Sequence, residues 1–207
     1  MTNSRLWRSC FGWLALSVLL LAAAFYFDTD VHSWVKQHQT RSGKIFMRSV
    51  SRWGDWPLHV VLGFAGVAIA YFLHNRKWTV IFAGMVIACG AAGLLNPVIK
   101  SAAGRSRPSV EINAGWNGPT FTPKYHAFPS GHTIASTAFF AALVCARPCI
   151  GLFFLPIPIL IAVSRVYLNA HHLSDVVAGA ILGVWCAFFV WRAVAKRTDY
   201  EGLPDWS

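Results

Sequence analysis

Six apolar runs with few charges constrain the fold of this chain more than any other feature. They lie at residues 9–27, 56–73, 78–99, 129–146, 148–164 and 176–191. Each run approaches the roughly 20 residues that a helix needs to cross a hydrocarbon core, although several are slightly short. Of the 207 residues, 56% are hydrophobic and only 13% are charged, which is too little polar surface for a soluble domain. The sequence therefore predicts an all-α fold, a six-transmembrane-helix bundle that forms a single integral membrane domain over residues 1–207.

The first run fits two alternatives. Arg5 and Arg8 precede it and an alanine stretch, 22–24, lies near its end, so it is either a retained helix or a cleaved signal peptide. The later spans have the same orientation in both cases. With the start of the chain in the cytoplasm, every inner segment has a basic anchor, but the outer side holds more basic residues in total. We expect this orientation after setting aside basic residues that belong to a candidate site.

The connection after the first run contains a candidate amphipathic helix. Apolar residues fall on one helical face, namely Ile45, Phe46, Val50 and Trp53. Basic residues fall largely on another, namely Lys44, Arg48 and Arg52. Such a segment would lie on the membrane surface and attract anionic headgroups. A solvated helix that caps the bundle fits the same pattern.

Composition also limits the partners of the chain. Its net charge of +10 comes from basic residues scattered between apolar runs, so we expect anionic lipid and no nucleic acid as the partner. The five cysteines lie in or beside apolar stretches without metal-ligand spacing. We expect them to be packing residues, although a disulfide between Cys145 and Cys149 is the alternative. No metal site and no cofactor are predicted.

Three polar segments border the apolar runs and carry the candidate chemistry. They are Lys100–x6–Arg107–Pro108, Pro129–Ser130–Gly131–His132 and Ser164–Arg165–x5–His171–x3–Asp175. In the six-span arrangement all three segments lie on one side of the membrane. We therefore expect them to form one site.

The basic and small residues of these segments suit a phosphate group. Ser130 can cap the helix that follows it, and Gly131 lets backbone N–H groups approach an anion closely. Lys100, Arg107 and Arg165 would be costly near hydrocarbon without an anion. Lys100 has the alternative of reaching along the membrane to the interface. Arg105 lies outside this spacing, and we expect it to be a surface charge.

The histidines supply the reacting groups. His171 and Asp175 are four residues apart, so the carboxylate can accept the Nδ1 proton and leave Nε2 free to attack phosphorus. His172 is the rival nucleophile, and His126 is a weaker candidate for contact with substrate. His132 can protonate the leaving oxygen. Together the residues predict phosphoryl transfer at a membrane surface.

These segments resemble the signature of the type 2 phosphatidic acid phosphatase family at every defining position from Lys100 to Asp175. The resemblance implies a metal-independent reaction through a phosphohistidine on His171, with His132 as general acid and later as base. It implies that Asp175 orients His171 and that five residues bind phosphate: Lys100, Arg107, Ser130, Gly131 and Arg165. The family also resembles soluble vanadium haloperoxidases, but the six apolar runs argue against that role.

The resemblance also implies a lipid phosphate or diphosphate as substrate. Among small chains of this family, undecaprenyl diphosphate ranks first, and the alternatives are phosphatidylglycerophosphate, phosphatidate and lipid A. A lipid phosphotransferase and a non-catalytic lipid-phosphate binder or transporter are rival functions. We expect a bacterial inner (plasma) membrane protein with its site on the outer, periplasmic face, membrane lipids around it and no obligate protein partner.

Two further patterns bear on packing. Four aromatic residues between the first two segments suit either a lid over a lipid substrate or ordinary interfacial anchors: Trp116, Phe121, Tyr125 and Phe128. Gly179 and Gly183 form a GxxxG pattern on the last run. We expect this pattern to pack helices within the chain, and packing between subunits is the alternative.

Overall fold

A computed structural model of the chain describes residues 3–110 and 115–198, with the side chains of 10–110 and 115–197. The side chains of Arg5 and Arg8 therefore lie outside the described residues. The helices are α1 (Asn3–His38), α2 (Arg41–Arg52), α3 (Trp56–Phe72), α4 (Arg76–Ala103), α5 (Gly131–Ala146), α6 (Pro148–Phe154), α7 (Pro156–Tyr167) and α8 (Leu173–Thr198). Pro123–Tyr125 forms one 3-10 turn. Within the described ranges the extended structure is limited to an isolated bridge between Arg105 and Trp116.

Every predicted apolar run is helical, but the number of membrane spans stays a prediction. Four helical segments of the described chain are long and apolar enough to cross a membrane, and the bent pair α2 and α3 would make a fifth. The fifth predicted run is split into α6 and α7 at Leu155, yet both together qualify as one span. Helix α5 has 16 residues, which rise about 24 Å, short of the roughly 30 Å of a hydrocarbon core.

Helix α1 extends well beyond the predicted end of the first run at residue 27. Asp28 and Asp30 resemble the polar end of a span, but neither glycine nor proline interrupts the chain before Thr40. Asp28 is buried because Arg105 neutralises it. The helix therefore continues to His38, where Thr40 caps the next helix by accepting a hydrogen bond from the Gly43 N–H.

Helix α5 is the centre of the bundle and packs against α3, α4, α6, α7 and α8. Its buried side chains are mostly small, including Ala135, Ala138 and Ala142, so the neighbouring backbones approach closely. Ile81, Met85 and Trp191 complete the core from α4 and α8. Large apolar side chains on the outer faces, such as Leu19, Phe72 and Leu94, are exposed in the chain alone. Lipid would cover these faces in a membrane.

The GxxxG pattern packs α8 against α5, as predicted for contact within the chain. A Cβ on Gly179 would lie 2.9 Å from the Ser130 carbonyl oxygen, and one on Gly183 would lie 2.8 Å from the Ile134 carbonyl oxygen. Both contacts are with backbone, which cannot move aside as a flexible side chain can. The two glycines therefore hold α8 against the start of α5, where the polar segments meet.

We expect Gly183→Ala to destabilise the protein because the added methyl group would collide with the α5 backbone. The cost should be about 1–3 kcal/mol, the usual range for overpacking. Gly90→Ala is the matched control, since nothing lies within 4 Å of the Cβ position at Gly90 on α4. Thermal unfolding in detergent should show a lower midpoint for Gly183→Ala only. Equal midpoints for the two variants would contradict this packing.

The predicted amphipathic helix is present as α2, and its location at the membrane surface stays a prediction. Ile45 and Phe46 are exposed on it, as is Trp53 directly after its last residue, whereas Ser51 is buried. Two contacts attach this region to the end of α7: Gln39 Nε2 donates to the Tyr167 carbonyl oxygen, and the Thr40 N–H donates to the Tyr167 hydroxyl at 3.1 Å. The helix is therefore fixed to the bundle beside Arg165.

Candidate active site

The fold brings the three polar segments together at one end of the bundle. Lys100 lies in the last turn of α4, and Gly104 ends that helix in the left-handed region with φ 58°. A left-handed residue of this kind favours glycine and turns the chain toward Arg107. The second polar segment, Pro129–Ser130–Gly131–His132, leads into α5. His171 of the third segment lies in the short connection between α7 and α8. The helix arrangement therefore brings the three segments together, and their joint role as one site stays a prediction.

One ring nitrogen of His171 forms a hydrogen bond, and the other is available to react. Its side chain is only 3% exposed, and Nδ1 lies 2.8 Å from the carbonyl oxygen of Ala127. A carbonyl can only accept, so Nδ1 carries the proton and Nε2 is the unprotonated nitrogen. The predicted acceptor was Asp175, but its Oδ2 lies 3.6 Å from Nδ1, beyond hydrogen-bond distance. The carbonyl of Ala127 therefore takes the role that the spacing assigned to the carboxylate.

The surroundings of His171 favour the neutral imidazole. Burial lowers the pKa of His171 to about 4, and the positive charges of Lys100 and Arg165 act in the same direction. Asp175 opposes them but does not compensate. At neutral pH the ring is therefore uncharged, which is the state that a nucleophile requires.

Asp175 accepts hydrogen bonds from two backbone N–H groups of the site. Its side chain is fully buried, and Oδ2 accepts the His172 N–H at 2.8 Å. Its own carbonyl oxygen accepts the Ser130 N–H at 2.9 Å. Asp175 thus connects the start of α8 with the start of α5.

Ser130 occupies the predicted cap position of α5 but does not form the predicted cap. Its backbone is extended, with φ −70° and ψ 117°, and its side chain makes no capping hydrogen bond. The hydroxyl instead accepts a hydrogen bond from Thr133 Oγ1 at 3.0 Å. Next to it, a Cβ on Gly131 would lie 2.9 Å from Asn96 Nδ2, so only glycine fits this position without a shift.

The three predicted cations lie close enough to repel one another electrostatically. Lys100 Nζ donates to the His126 carbonyl oxygen at 2.8 Å, and Arg165 Nη1 donates to Ser51 Oγ at 2.5 Å. The buried Nε atoms of Arg107 and Arg165 have no hydrogen-bond partner among the described residues. Buried donors of this kind are costly without an acceptor. A phosphate group supplies both the negative charge and the acceptors that this cluster needs.

His132 has a carboxylate partner that the sequence did not indicate. Its Nε2 lies 2.8 Å from Asp55 Oδ1, at the turn between α2 and α3. Gly54 packs against the imidazole, since a Cβ there would lie 3.1 Å from His132 Cδ2. Nothing in the sequence marks Asp55, which lies outside the three segments and caps an ordinary apolar run.

Arg105 is not the surface charge that its position outside the spacing predicted. It is only 9% exposed, and its guanidinium bridges two carboxylates, with Nη2 2.7 Å from Asp28 Oδ2 and Nη1 2.5 Å from Asp175 Oδ1. The rings of Phe25 and Trp116 lie 5.1 Å and 5.2 Å from its guanidinium carbon. The prediction was wrong because the partner Asp28 is on α1, far away in the sequence. A carboxylate inside a long apolar helix is the signal that could have found it.

Two other histidines were candidates for the site: His172 as the rival nucleophile and His126 for contact with substrate. The ring of His172 lies 6.5 Å from that of His32. Burial is the main cause that lowers the pKa of His172, and a backbone hydrogen bond at Ser106 opposes it. His126 Nε2 lies 2.9 Å from the Thr120 carbonyl oxygen. The His126 ring therefore has a hydrogen-bond partner in its own connection, and the His172 ring lies near His32.

The candidate lid is only partly assembled around the site. Trp116 and Phe128 pack on each other and on Phe25, with ring centroids 5.3 to 6.2 Å apart. Phe121 is 89% exposed and stands apart from this group. Of the candidate lid residues, Trp116 thus covers Arg105 together with Phe25, and a lid function stays a prediction.

An apolar cavity lies between α1, α5, α7 and α8. Its volume is about 510 Å³, and it is lined by residues of α1, α5, α7 and α8 together with Leu155. Thr133, which donates to Ser130, and Leu173, which follows His172, are among the lining residues. The cavity could hold part of a hydrocarbon chain beside a bound headgroup.

The cysteines and acidic residues give no metal-binding arrangement within the described part of the chain. Residues 10–110 and 115–197 contain no group of three or more histidine, cysteine or carboxylate side chains suited to a metal ion. Cys145 and Cys149 are free thiols. The alternative disulfide is not formed, and the packing interpretation fits the half-buried Cys145, whereas Cys149 is exposed.

The model of the PAP2 superfamily matches residues 78–199, more than half of the chain and all three polar segments. The chain is similar to a lipid A 1-phosphatase from Rhizobium etli, with 37% identity over 99 residues, 45% of this chain and 42% of that protein. It is also similar to a decaprenylphosphoryl-5-phosphoribose phosphatase from Mycobacterium tuberculosis, with 33% identity over 147 residues, 66% of this chain and 72% of that one. The match to the first relative thus spans less than half of its length.

The fold is similar to the crystal structure of a PAP2-type phosphatidylglycerolphosphate phosphatase from Bacillus subtilis. The TM-score is 0.67, and the superposition covers 92% of this chain and 98% of that one. Sequence identity in this comparison is 22%, so the likeness concerns the fold.

Proposed function

This chain belongs to the PAP2 superfamily, and we propose that it is a membrane lipid phosphatase that works through a phosphohistidine on His171. Its apolar helices and its fold make it an integral membrane protein. The observation that carries the proposal is the state of His171 beside the cation cluster. Its Nδ1 is bound to the Ala127 carbonyl, its Nε2 is unprotonated, and Lys100 and Arg165 act on it electrostatically.

The proposed reaction has two displacements at phosphorus. In the first, His171 Nε2 attacks phosphorus while the bond to the leaving oxygen breaks, and His132 gives its proton to that oxygen. The leaving group is the lipid alkoxide of a monophosphate or the lipid phosphate of a diphosphate. In the second, a water molecule loses a proton to His132 and attacks the phosphohistidine, so that the P–N bond breaks and inorganic phosphate leaves. His171 then returns to its neutral state.

The phosphate-binding residues stabilise charge on the phosphoryl oxygens in both steps. Lys100, Arg107 and Arg165 supply positive charge, and the unpartnered Nε atoms of the two arginines supply donors. Ser130 and the Gly131 backbone complete the proposed contacts at the start of α5. Because the three cations are already half-buried and in place, little reorganisation is needed when the charge develops.

We propose a lipid phosphate or diphosphate as the substrate class, with undecaprenyl diphosphate first. The apolar cavity beside Ser130 supports a substrate with a hydrocarbon chain. Relatives carry names that refer to lipid A and to decaprenylphosphoryl-5-phosphoribose, and the structural neighbour is named for phosphatidylglycerophosphate. These three lipids and phosphatidate are the alternatives to undecaprenyl diphosphate. For the membrane, we propose the bacterial inner membrane with the site on its outer face.

Phosphate release in detergent tests the proposal. The purified protein is incubated with each of these lipids in the presence of a chelator. We expect inorganic phosphate from at least one lipid, at a rate that the chelator does not change. Added acceptor lipid would separate hydrolysis from transfer, because a phosphotransferase would form a new phosphorylated lipid. A folded protein that binds inorganic phosphate but releases none from any lipid would contradict the phosphatase.

A further inference from the structure

We propose that Arg105 is a positioning residue that fixes both groups facing His171 Nδ1, and that Asp28 of α1 holds Arg105 in place. The inference rests on the proposed function only in naming His171 as the nucleophile. Neither Arg105 nor Asp28 is a defining position of the three polar segments that predict the chemistry. Through Asp28, helix α1 also contributes to the site.

The side chain of Arg105 fixes the carboxylate of Asp175. Nη1 lies 2.5 Å from Asp175 Oδ1 and donates to Ser174 Oγ at 2.6 Å. Nη2 donates to Asp28 Oδ2 at 2.7 Å. A planar guanidinium can hold two carboxylates in one fixed arrangement, which a lysine cannot do. The Asp175 carboxylate is therefore pulled toward Arg105, and its other oxygen stays 3.6 Å from His171 Nδ1.

The backbone of Arg105 fixes the second group. The Ala127 N–H donates to the Arg105 carbonyl oxygen at 3.0 Å. The carbonyl of the same Ala127 residue accepts the proton of His171 Nδ1 at 2.8 Å. One residue therefore positions both the hydrogen-bond acceptor of the nucleophile and the carboxylate next to it.

Asp28 joins α1 to the start of α8 through the same group. Its Oδ1 accepts the Ser174 N–H at 2.8 Å, and its Oδ2 accepts the Ser174 hydroxyl at 2.5 Å as well as Arg105 Nη2. Phe25 of α1 and Trp116 lie against the guanidinium and limit the access of water to it. A buried charge pair with fully used hydrogen bonds is rigid, because any other arrangement leaves a charge without a partner.

This arrangement keeps His171 neutral and correctly oriented. The charged groups that face His171 are Lys100 from α4, Arg165 from α7 and Asp175 from α8. Of these, only Asp175 favours the protonated imidazolium. Without Arg105 the carboxylate could turn to Nδ1 and stabilise that form, so the pKa of His171 would rise. More of the nucleophile would then be protonated at a given pH.

The test is Arg105→Gln, followed by two measurements on protein in detergent micelles. The first is the pKa of His171 from the ring nitrogen resonances, assigned by their loss in His171→Gln. The second is the pH dependence of kcat/KM for para-nitrophenyl phosphate and for the lipid that the wild type hydrolyses best. We expect the pKa and the acid limb of the profile to rise together by about one pH unit. We expect kcat to fall by roughly tenfold to a hundredfold, the range seen for partners of metal-bound histidines, with KM little changed.

Two further variants complete the test. Arg105→Lys keeps a charge that can reach only one carboxylate, so we expect a smaller rise in the His171 pKa and a smaller fall in kcat. This variant replaces Arg105→Gln in the test if Arg105→Gln does not fold. Arg76→Gln changes an exposed arginine at the start of α4 and should change neither quantity. An unchanged His171 pKa in folded Arg105 variants would overturn the proposal. Because the resonances report without turnover, an inactive wild type would contradict the phosphatase and leave this test in place.

Discussion

Replacing His171 by alanine is expected to reduce phosphate release by roughly 10⁴-fold or more, the scale typical of losing a nucleophile. His171 combines an unprotonated nitrogen, nearly complete burial and a neighbouring cation cluster. The loss should be similar for every lipid that the wild type hydrolyses, because each of them must pass through the same phosphohistidine.

The intermediate itself gives the sharper measurement. Rapid mixing with a ³²P-labelled substrate, followed by quenching in base, should trap labelled wild-type protein. The label should be lost in acid, since a phosphoramidate hydrolyses there and a phosphate ester does not. His171→Ala should carry no label. The adjacent His172→Ala is the matched control, and we expect it to be labelled because His172 lies toward His32. Labelled His171→Ala, or unlabelled His172→Ala, would contradict the assignment of the nucleophile.

The helices were predictable because they depend on local composition. The number of membrane spans was harder to predict, because it depends on the length of each helix relative to the thickness of the hydrocarbon core. All six apolar runs became helical, and the candidate amphipathic segment became α2. Helix α5 is too short for a full span by length alone, and Pro156 follows a break in the fifth run. The far end of α1 was missed because Asp28 resembled a boundary. It is instead an internal partner of Arg105.

The site was predictable where its residues belong to one segment and not where they meet across helices. The sequence identified His171 and Asp175 as neighbours, but the acceptor of Nδ1 is a carbonyl, which no side-chain pattern can reveal. Arg105 was misjudged because its partner lies 77 residues away along the chain. Asp55 was missed for the same reason, since it contacts His132 from a different connection. Long-range pairing therefore accounts for most of what the motifs did not show.

Replacing His132 by alanine is expected to slow the hydrolysis of lipid monophosphates by about 10²–10⁴-fold, the usual contribution of general acid catalysis. A lipid alkoxide is a poor leaving group unless it is protonated. The phenolate of para-nitrophenyl phosphate leaves without a proton, so the first step should be much less affected with that substrate. The second step still needs His132 as a base. We therefore expect a burst of para-nitrophenolate equal to the enzyme concentration, followed by slow turnover.

Asp55 provides the control that separates proton transfer from packing. Its carboxylate is more than half exposed, so the loss of its contact with His132 should hardly change the free energy of unfolding. Asp55→Asn should slow lipid hydrolysis by less than His132→Ala does, and the double variant should be no slower than His132→Ala alone, because Asp55 acts through that imidazole. Equal losses with both leaving groups and additive losses in the double variant would instead assign His132 a binding role. A burst together with non-additivity would identify the His132–Asp55 pair as the group that moves the proton in both steps.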